Sequence, residues 1–157
     1  MIRDFKVYML VFAAAAMLTP ISGTADTPGR HPRYLKARSD LRVAQMLSRV
    51  REEENVMRNL RRCDEEIEAA IHEIDQAARF DRKDLDDHPR IDAHVARSGR
   101  FRKMMELLDS ARRDITQEED NPNAVGWRNL AFKHIDEARV SLRRADTDLR
   151  IDRELGF

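Results

Sequence analysis

Apolar residues recur at three- and four-residue intervals through most of this chain, and the recurrence fails over one long stretch. Tyr34, Ala37, Leu41, Ala44 and Leu47 fall on one face of a helix. Arg33, Lys36, Arg38, Asp40, Arg42 and Arg49 lie mostly outside that face. His31-Pro32 opens this helix, because a first-turn proline gives up an N–H that has no partner there anyway. The cleanest pattern follows. Val56, Leu60, Cys63, Ile67, Ala70, Ile71, Ile74, Ala77 and Ala78 make a continuous stripe, with Arg58, Arg61, Arg62, Asp64, Glu65, Glu66, Glu68 and Glu73 around it.

Between these two patterns, residues 48–55 (SRVREEEN) admit two readings. The triplet Glu52-Glu53-Glu54 suits the first turn of a new helix, where the helix dipole favours anions. No Gly or Pro forces a break, however, and an alternative phase through Met46, Val50, Met57 and Leu60 carries one long helix straight through.

The pattern stops over residues 80–99, FDRKDLDDHPRIDAHVARSG. Beyond this stretch Ser98 is suited to cap a third helix, whose apolar positions are Phe101, Met104, Leu108, Ala111 and Ile115. Asn121-Pro122 signals the start of a fourth, a capping side chain before a first-turn proline. That helix carries Ala124, Trp127, Ala131, His134, Ile135, Ala138, Leu142, Ala145 and Leu149. The expected fold class is therefore all-α: an up-down-up-down four-helix bundle with helices over about 32–50, 53–80, 99–116 and 122–152. The alternative fuses the first two helices into an extended helical dimer.

Composition agrees with helices: charged residues are 37% of the 157, and Gly and Pro number only five each. Formal net charge is zero, with 29 basic and 29 acidic side chains, so no electrostatic footprint for nucleic acid is present. Ahead of the first helix, Arg3 and Lys6 precede an apolar run over residues 7–18, broken by Thr19-Pro20 and followed by Gly23-Thr24-Ala25. This is the pattern of a signal peptide over residues 1–25, leaving one domain over 26–157 and a periplasmic or secreted location. The run is shorter than the roughly 20 residues of a membrane span, so no stable membrane insertion is expected after cleavage. With Cys63 as the only cysteine, no internal disulfide forms, and the thiol reads as a small buried hydrophobe.

Candidate chemistry is sparse. One cysteine excludes a thioether-linked haem, and no Glu-x-x-His supports a di-iron site. Met46, Met57, Met104 and Met105 beside His134 read as core filler rather than haem ligands. His134, the polar residue in a predicted seam, is expected to bond a neighbour, with Asp40 on an antiparallel first helix as the expected partner. Serines 39, 48, 98, 110 and 141 have no hydrolase-type surroundings. No cofactor and no catalysis are expected. In an up-down bundle, the start of the first helix, the 80–99 stretch and the C-terminus share one end. There His31, Asp84, Asp87, His88, Asp92 and His94 form a candidate site for a divalent metal, imidazole and carboxylate being its ligand set. Their spacing matches no EF-hand loop, and capping of turns by Asp is the structural alternative. The opposite end is expected to gather Glu52, Glu53, Glu54, Glu118, Glu119 and Asp120 as an acidic rim.

The strings HPRYLKARSDLR (31–42), KDLDDHPRIDAH (83–94), EEDNP (118–122) and HIDEA (134–138) resemble a family of small exported bacterial helical proteins of uncharacterised function. The resemblance spans nearly the whole chain after the leader. It implies an exported, all-helical protein and no activity. The segment 48–55 is shorter here than the family's and lacks its Gly and Pro. The function expected from the sequence is non-catalytic binding or structural interaction in the periplasm, with an unknown protein or small ligand as partner and a monomer or dimer as the state. The alternative is a periplasmic binder of divalent metal.

Overall fold

The computed structural model describes residues 32–80, 99–117 and 122–156. They form four helices and no strand: α1 (Pro32–Ser48), α2 (Glu54–Phe80), α3 (Arg100–Gln117) and α4 (Val125–Leu155). Every seam residue predicted for the first and third helices is buried, from Tyr34 to Leu47 and from Phe101 to Ile115. On α2 only Ile71 of the stripe is partly exposed, and on α4 Trp127, His134 and Leu149 are the half-buried members. All four faces meet in one apolar cluster, so α-helical spacing is explained by burial toward a common axis.

Residues 49–53 break the first helix from the second. The amide of Met57 donates to the carbonyl of Glu53 at 2.8 Å, so helical bonding restarts at Glu53, with Glu54 in the first turn of α2. The uninterrupted phase fails at its outer positions: Met46 is 52% exposed and Val50 is 44% exposed. At the other junction, Pro122, Asn123 and Ala124 form a turn and α4 begins only at Val125. Pro122 thus precedes the helix instead of occupying its first turn, and the first bond runs from the Arg128 amide to the Ala124 carbonyl at 3.1 Å. At its far end, Gly156 adopts φ 81° and returns its N–H to the Asp152 carbonyl, a left-handed cap that favours glycine.

The order of the helices departs from the up-down-up-down expectation. Lys36 bonds Asp114 and Ser110, and Arg33 Nη1 donates to the Gln117 carbonyl at 2.7 Å, so α1 and α3 are antiparallel. Arg38 with Asp75 and Arg49 with Asp64 make α1 and α2 antiparallel. Asn55 with Asp152 and Asn59 with Asp148 do the same for α2 and α4. Arg112 with Asp136 and Arg139 with Asp109 do so for α3 and α4. Since α2 and α3 both oppose α1, they run in the same direction. The bundle is up-down-down-up, with α1 diagonal to α4 and α2 diagonal to α3. The end of α2 and the start of α3 therefore lie at opposite ends of the bundle. A long connection permits this arrangement, which short helix–helix loops forbid.

One end of the bundle holds the starts of α1 and α4 and the ends of α2 and α3. The other holds the 49–53 turn, the start of α3 and the end of α4. It is pinned there by Arg100, which is 2% exposed and pairs with Glu52 at 2.6 Å. Asn59–Asp148 and Glu66–His134 tie α2 to α4 along their length, and both helices carry buried alanines, Ala70 and Ala77 on α2 and Ala131 and Ala138 on α4. Small residues on both sides let the two long helices approach closely, and they share the most extensive contact of the bundle.

Candidate functional site

The six candidate metal ligands, His31, Asp84, Asp87, His88, Asp92 and His94, lie outside the described residues. The topology bears on their grouping only through the flanking helix ends: the start of α1 and the end of α2 share one end of the bundle, whereas the start of α3, beyond residues 81–99, lies at the other. Of the expected acidic rim, Glu118, Glu119 and Asp120 lie outside the described residues. Glu52 pairs with Arg100 at one end of the bundle, whereas Gln117, the last described residue before Glu118, stands beside Arg33 at the other. Among the described residues no group of three or more His, Cys, Asp and Glu side chains is placed to hold a metal ion.

His134 is half-buried and its Nδ1 lies 2.8 Å from Glu66 Oε2 on α2, not near Asp40. Asp40 instead faces Lys36 on its own helix at 3.5 Å. The expected partner was wrong because α1 and α4 are diagonal and parallel. The methionines are not gathered about this histidine: Met57 is nine residues along α2 from Glu66, about 13 Å at 1.5 Å per residue. Cys63 is fully enclosed, and burial pushes its thiol up to about 12, so it is protonated and inert at neutral pH.

Several polar groups found inside the bundle were not legible as such in the sequence. Arg38, Ser48, Arg100 and Ser141 are all buried. Ser48 Oγ lies 2.7 Å from the Gln45 carbonyl and 3.0 Å from Asp64, two acceptors that share its one proton, linking the end of α1 to α2. Arg38 reaches Asp75 at 2.7 Å. Between α3 and α4, Asp136 accepts from both Arg112 (3.1 Å) and Arg139 (3.0 Å), and Arg139 also reaches Asp109 at 2.8 Å. Partial burial works to raise the Asp136 carboxyl, but the two guanidinium groups win and hold it below the usual carboxylate range.

That network stitches only one half of the α3–α4 junction. In the other half the two helices frame a groove of about 470 Å³. Its floor is apolar, made by Phe101 and Met105 on successive turns of α3 and by Leu142 and Leu149 on α4. Its rim carries Arg102, Arg143, Arg150 and Arg153 against a single carboxylate, Asp146. Asp146 pairs with Arg150 at 2.8 Å, and Arg102 lies 3.9 Å from Glu106. Arg143 and Arg153 make no ion pair among the described residues, so the groove keeps a net positive edge.

A second, wider depression of about 830 Å³ lies at the 49–53 turn, lined by Arg49, Arg51, Glu52, Glu53, Glu54, Met57 and Arg61. It mixes both signs, three arginines with three glutamates; Arg61 bonds Glu54 at 2.7 Å and Arg49 bonds Asp64 at 3.1 Å. Of these two depressions among the described residues, the α3–α4 groove combines an apolar floor with an unbalanced polar rim, the arrangement that ligand clefts share. Periodicity placed Phe101, Leu142 and Leu149 on apolar seams and left Met105 off the seam of its helix. It gave no sign that the two helices part there.

No helix among the described residues is long and apolar enough to cross a membrane. Comparison with protein-family models, with curated proteins and with solved structures found no match. The family resemblance of the four sequence strings accordingly stands on those strings alone.

Proposed function

We propose that this is an exported, non-catalytic helical-bundle protein that works by binding, with the α3–α4 groove as its binding surface. The observation that carries the reading is the pairing of an apolar floor with an arginine-rich rim in that groove. The signal-peptide pattern over residues 1–25 supports export. The engagement of the nucleophile candidates supports the absence of catalysis. The Cys63 thiol is buried and protonated, Ser39 donates to a carbonyl of its own helix, Ser48 lies between the Gln45 carbonyl and Asp64, and His134 is committed to Glu66.

The test is to express the full chain in a Gram-negative host, release the periplasm by osmotic shock and weigh the product under native conditions. The expected product begins at Asp26 and carries a non-covalent mass that Met105→Trp, which fills the groove, removes. Retention in the cytoplasm refutes export. The absence of any groove-dependent mass refutes the binding surface. Metal analysis of the same preparation decides the competing reading, a divalent ion held by His31, Asp84, Asp87, His88, Asp92 and His94. A stoichiometric ion lost on His88→Ala would replace the groove as the site.

A further inference from the structure

Resting on the groove as the binding surface, we propose that its ligand is a free single-chain amphiphile with an anionic head, a long-chain alkyl carboxylate being the simplest member. Length and charge both bear on this. Along α4 the groove runs from Leu142 to Arg153, about 16 Å at 1.5 Å per residue. That length matches one extended alkyl chain of about a dozen carbons lying along the helix.

The floor has the right chemistry for such a chain. Phe101, Met105, Leu142 and Leu149 offer no hydrogen-bonding group, and the unbranched side chain of Met105 adapts to irregular apolar shapes. The rim selects the head. Arg143 and Arg153 stand ten residues apart near the two ends of the groove, each without a carboxylate partner among the described residues. A guanidinium presents a planar fork that matches a carboxylate in two parallel hydrogen bonds. An anionic head meets such a fork at either end while its tail covers the floor. A cationic head meets four arginines and one aspartate.

The probe series is octanoate, decanoate and dodecanoate, each titrated below its aggregation concentration into the mature full-length chain by calorimetry. Saturable one-to-one binding is expected, tightening about fourfold per methylene, or roughly 16-fold per two-carbon step. Arg143→Glu combined with Arg153→Glu weakens dodecanoate at least tenfold. Met105→Trp abolishes it. Arg113→Glu, an exposed change elsewhere on α3, leaves it unaltered. Circular dichroism melts verify that each variant is folded, and the double charge reversal, being at the surface, keeps the test valid if the tryptophan is not tolerated. Four results overturn the proposal: no saturable binding, affinity independent of chain length, equal binding of dodecyltrimethylammonium, or tighter co-sedimentation with phosphatidylglycerol vesicles than binding of free dodecanoate. If the periplasmic protein carries a groove-dependent mass yet ignores the alkyl carboxylates, the ligand class is wrong and the binding surface stands. If it carries none, both fail.

Discussion

Removing one partner of the Arg100–Glu52 pair is the most informative single perturbation of the fold. The two side chains retain 3% and 6% of their exposure, and their charged atoms lie 2.6 Å apart. Arg100 also places its guanidinium 5.2 Å from the centre of the Phe101 ring, at the head of the groove. Arg100→Met keeps much of the aliphatic stem and deletes the charge, leaving Glu52 enclosed with its main counter-ion gone. Breaking a buried pair in this way costs about 3–5 kcal/mol, because the remaining charge keeps its desolvation penalty and loses its compensation. Against a typical domain stability of about 5–15 kcal/mol, that is roughly a fifth or more of the total. At roughly 3–5 °C per kcal/mol for a chain of this size, the melting temperature falls by about 10–20 °C. Glu52→Gln falls by a comparable amount. Changing both positions, Arg100→Met with Glu52→Leu, recovers part of the loss, since apolar replacement of both partners removes the stranded charge. Recovery is partial because both residues make further polar interactions. Urea and thermal melts followed by circular dichroism at neutral pH give all the values needed for a double-mutant cycle. Single variants within about 1 kcal/mol of the parent, and additive in combination, would refute a buried, coupled pair pinning the 49–53 turn to α3.

Three further outcomes follow from named contacts. Leu108→Ala, at a position with no exposure in the common core, costs about 2–5 kcal/mol in the same melts, and a cost below 1 kcal/mol would contradict its burial. Asp136 has its folded pKa held below the unfolded value of 3.8, so its stabilisation is present above that value and is lost as pH falls through the lower folded one. Asp136→Asn is therefore less stable than the parent at pH 7, and the gap closes toward pH 2; a gap equal at both would refute the Arg112–Asp136–Arg139 link. Cys63 should resist iodoacetamide at pH 8 in the native protein and react at once in 6 M urea, whereas rapid native alkylation would contradict a buried thiol whose pKa is raised to about 12.

The faces of the helices were readable because burial toward one axis repeats every three or four residues, as from Leu60 through Cys63 and Ile67 to Ile74. What periodicity does not encode is which helix lies beside which. Four amphipathic stripes satisfy an up-down-up-down and an up-down-down-up bundle equally. The one available signal was the distance between Phe80 and Arg100, far longer than the two to eight residues that join antiparallel neighbours in bundles. It was read as a site when it also marked a crossover. From that one topological step comes the misassigned partner of His134. Buried Arg38 and Arg100 escaped notice for another reason. A polar letter at the flank of a seam counts as solvent-facing in a pattern, yet an arginine stem packs as hydrocarbon once Asp75 or Glu52 meets its head. The groove was the least legible feature, because its floor residues fit an ordinary core and only the parting of α3 from α4 exposes them.

The shared direction of α2 and α3 is the central claim, and spin-label distances test it most directly. In a Cys63→Ser background, labels go in pairs at Arg33 and Gln117 and at Arg33 and Arg102, all exposed positions. The up-down-down-up bundle sets the first pair across one interhelical spacing of about 10 Å. It offsets the second by a further 15 residues of α3, about 22 Å along the axis and roughly 25 Å in all. Pulsed dipolar spectroscopy should therefore return a short 33–117 distance and a long 33–102 distance. The reverse order would mean that α1 and α3 run parallel and that the bundle is up-down-up-down after all.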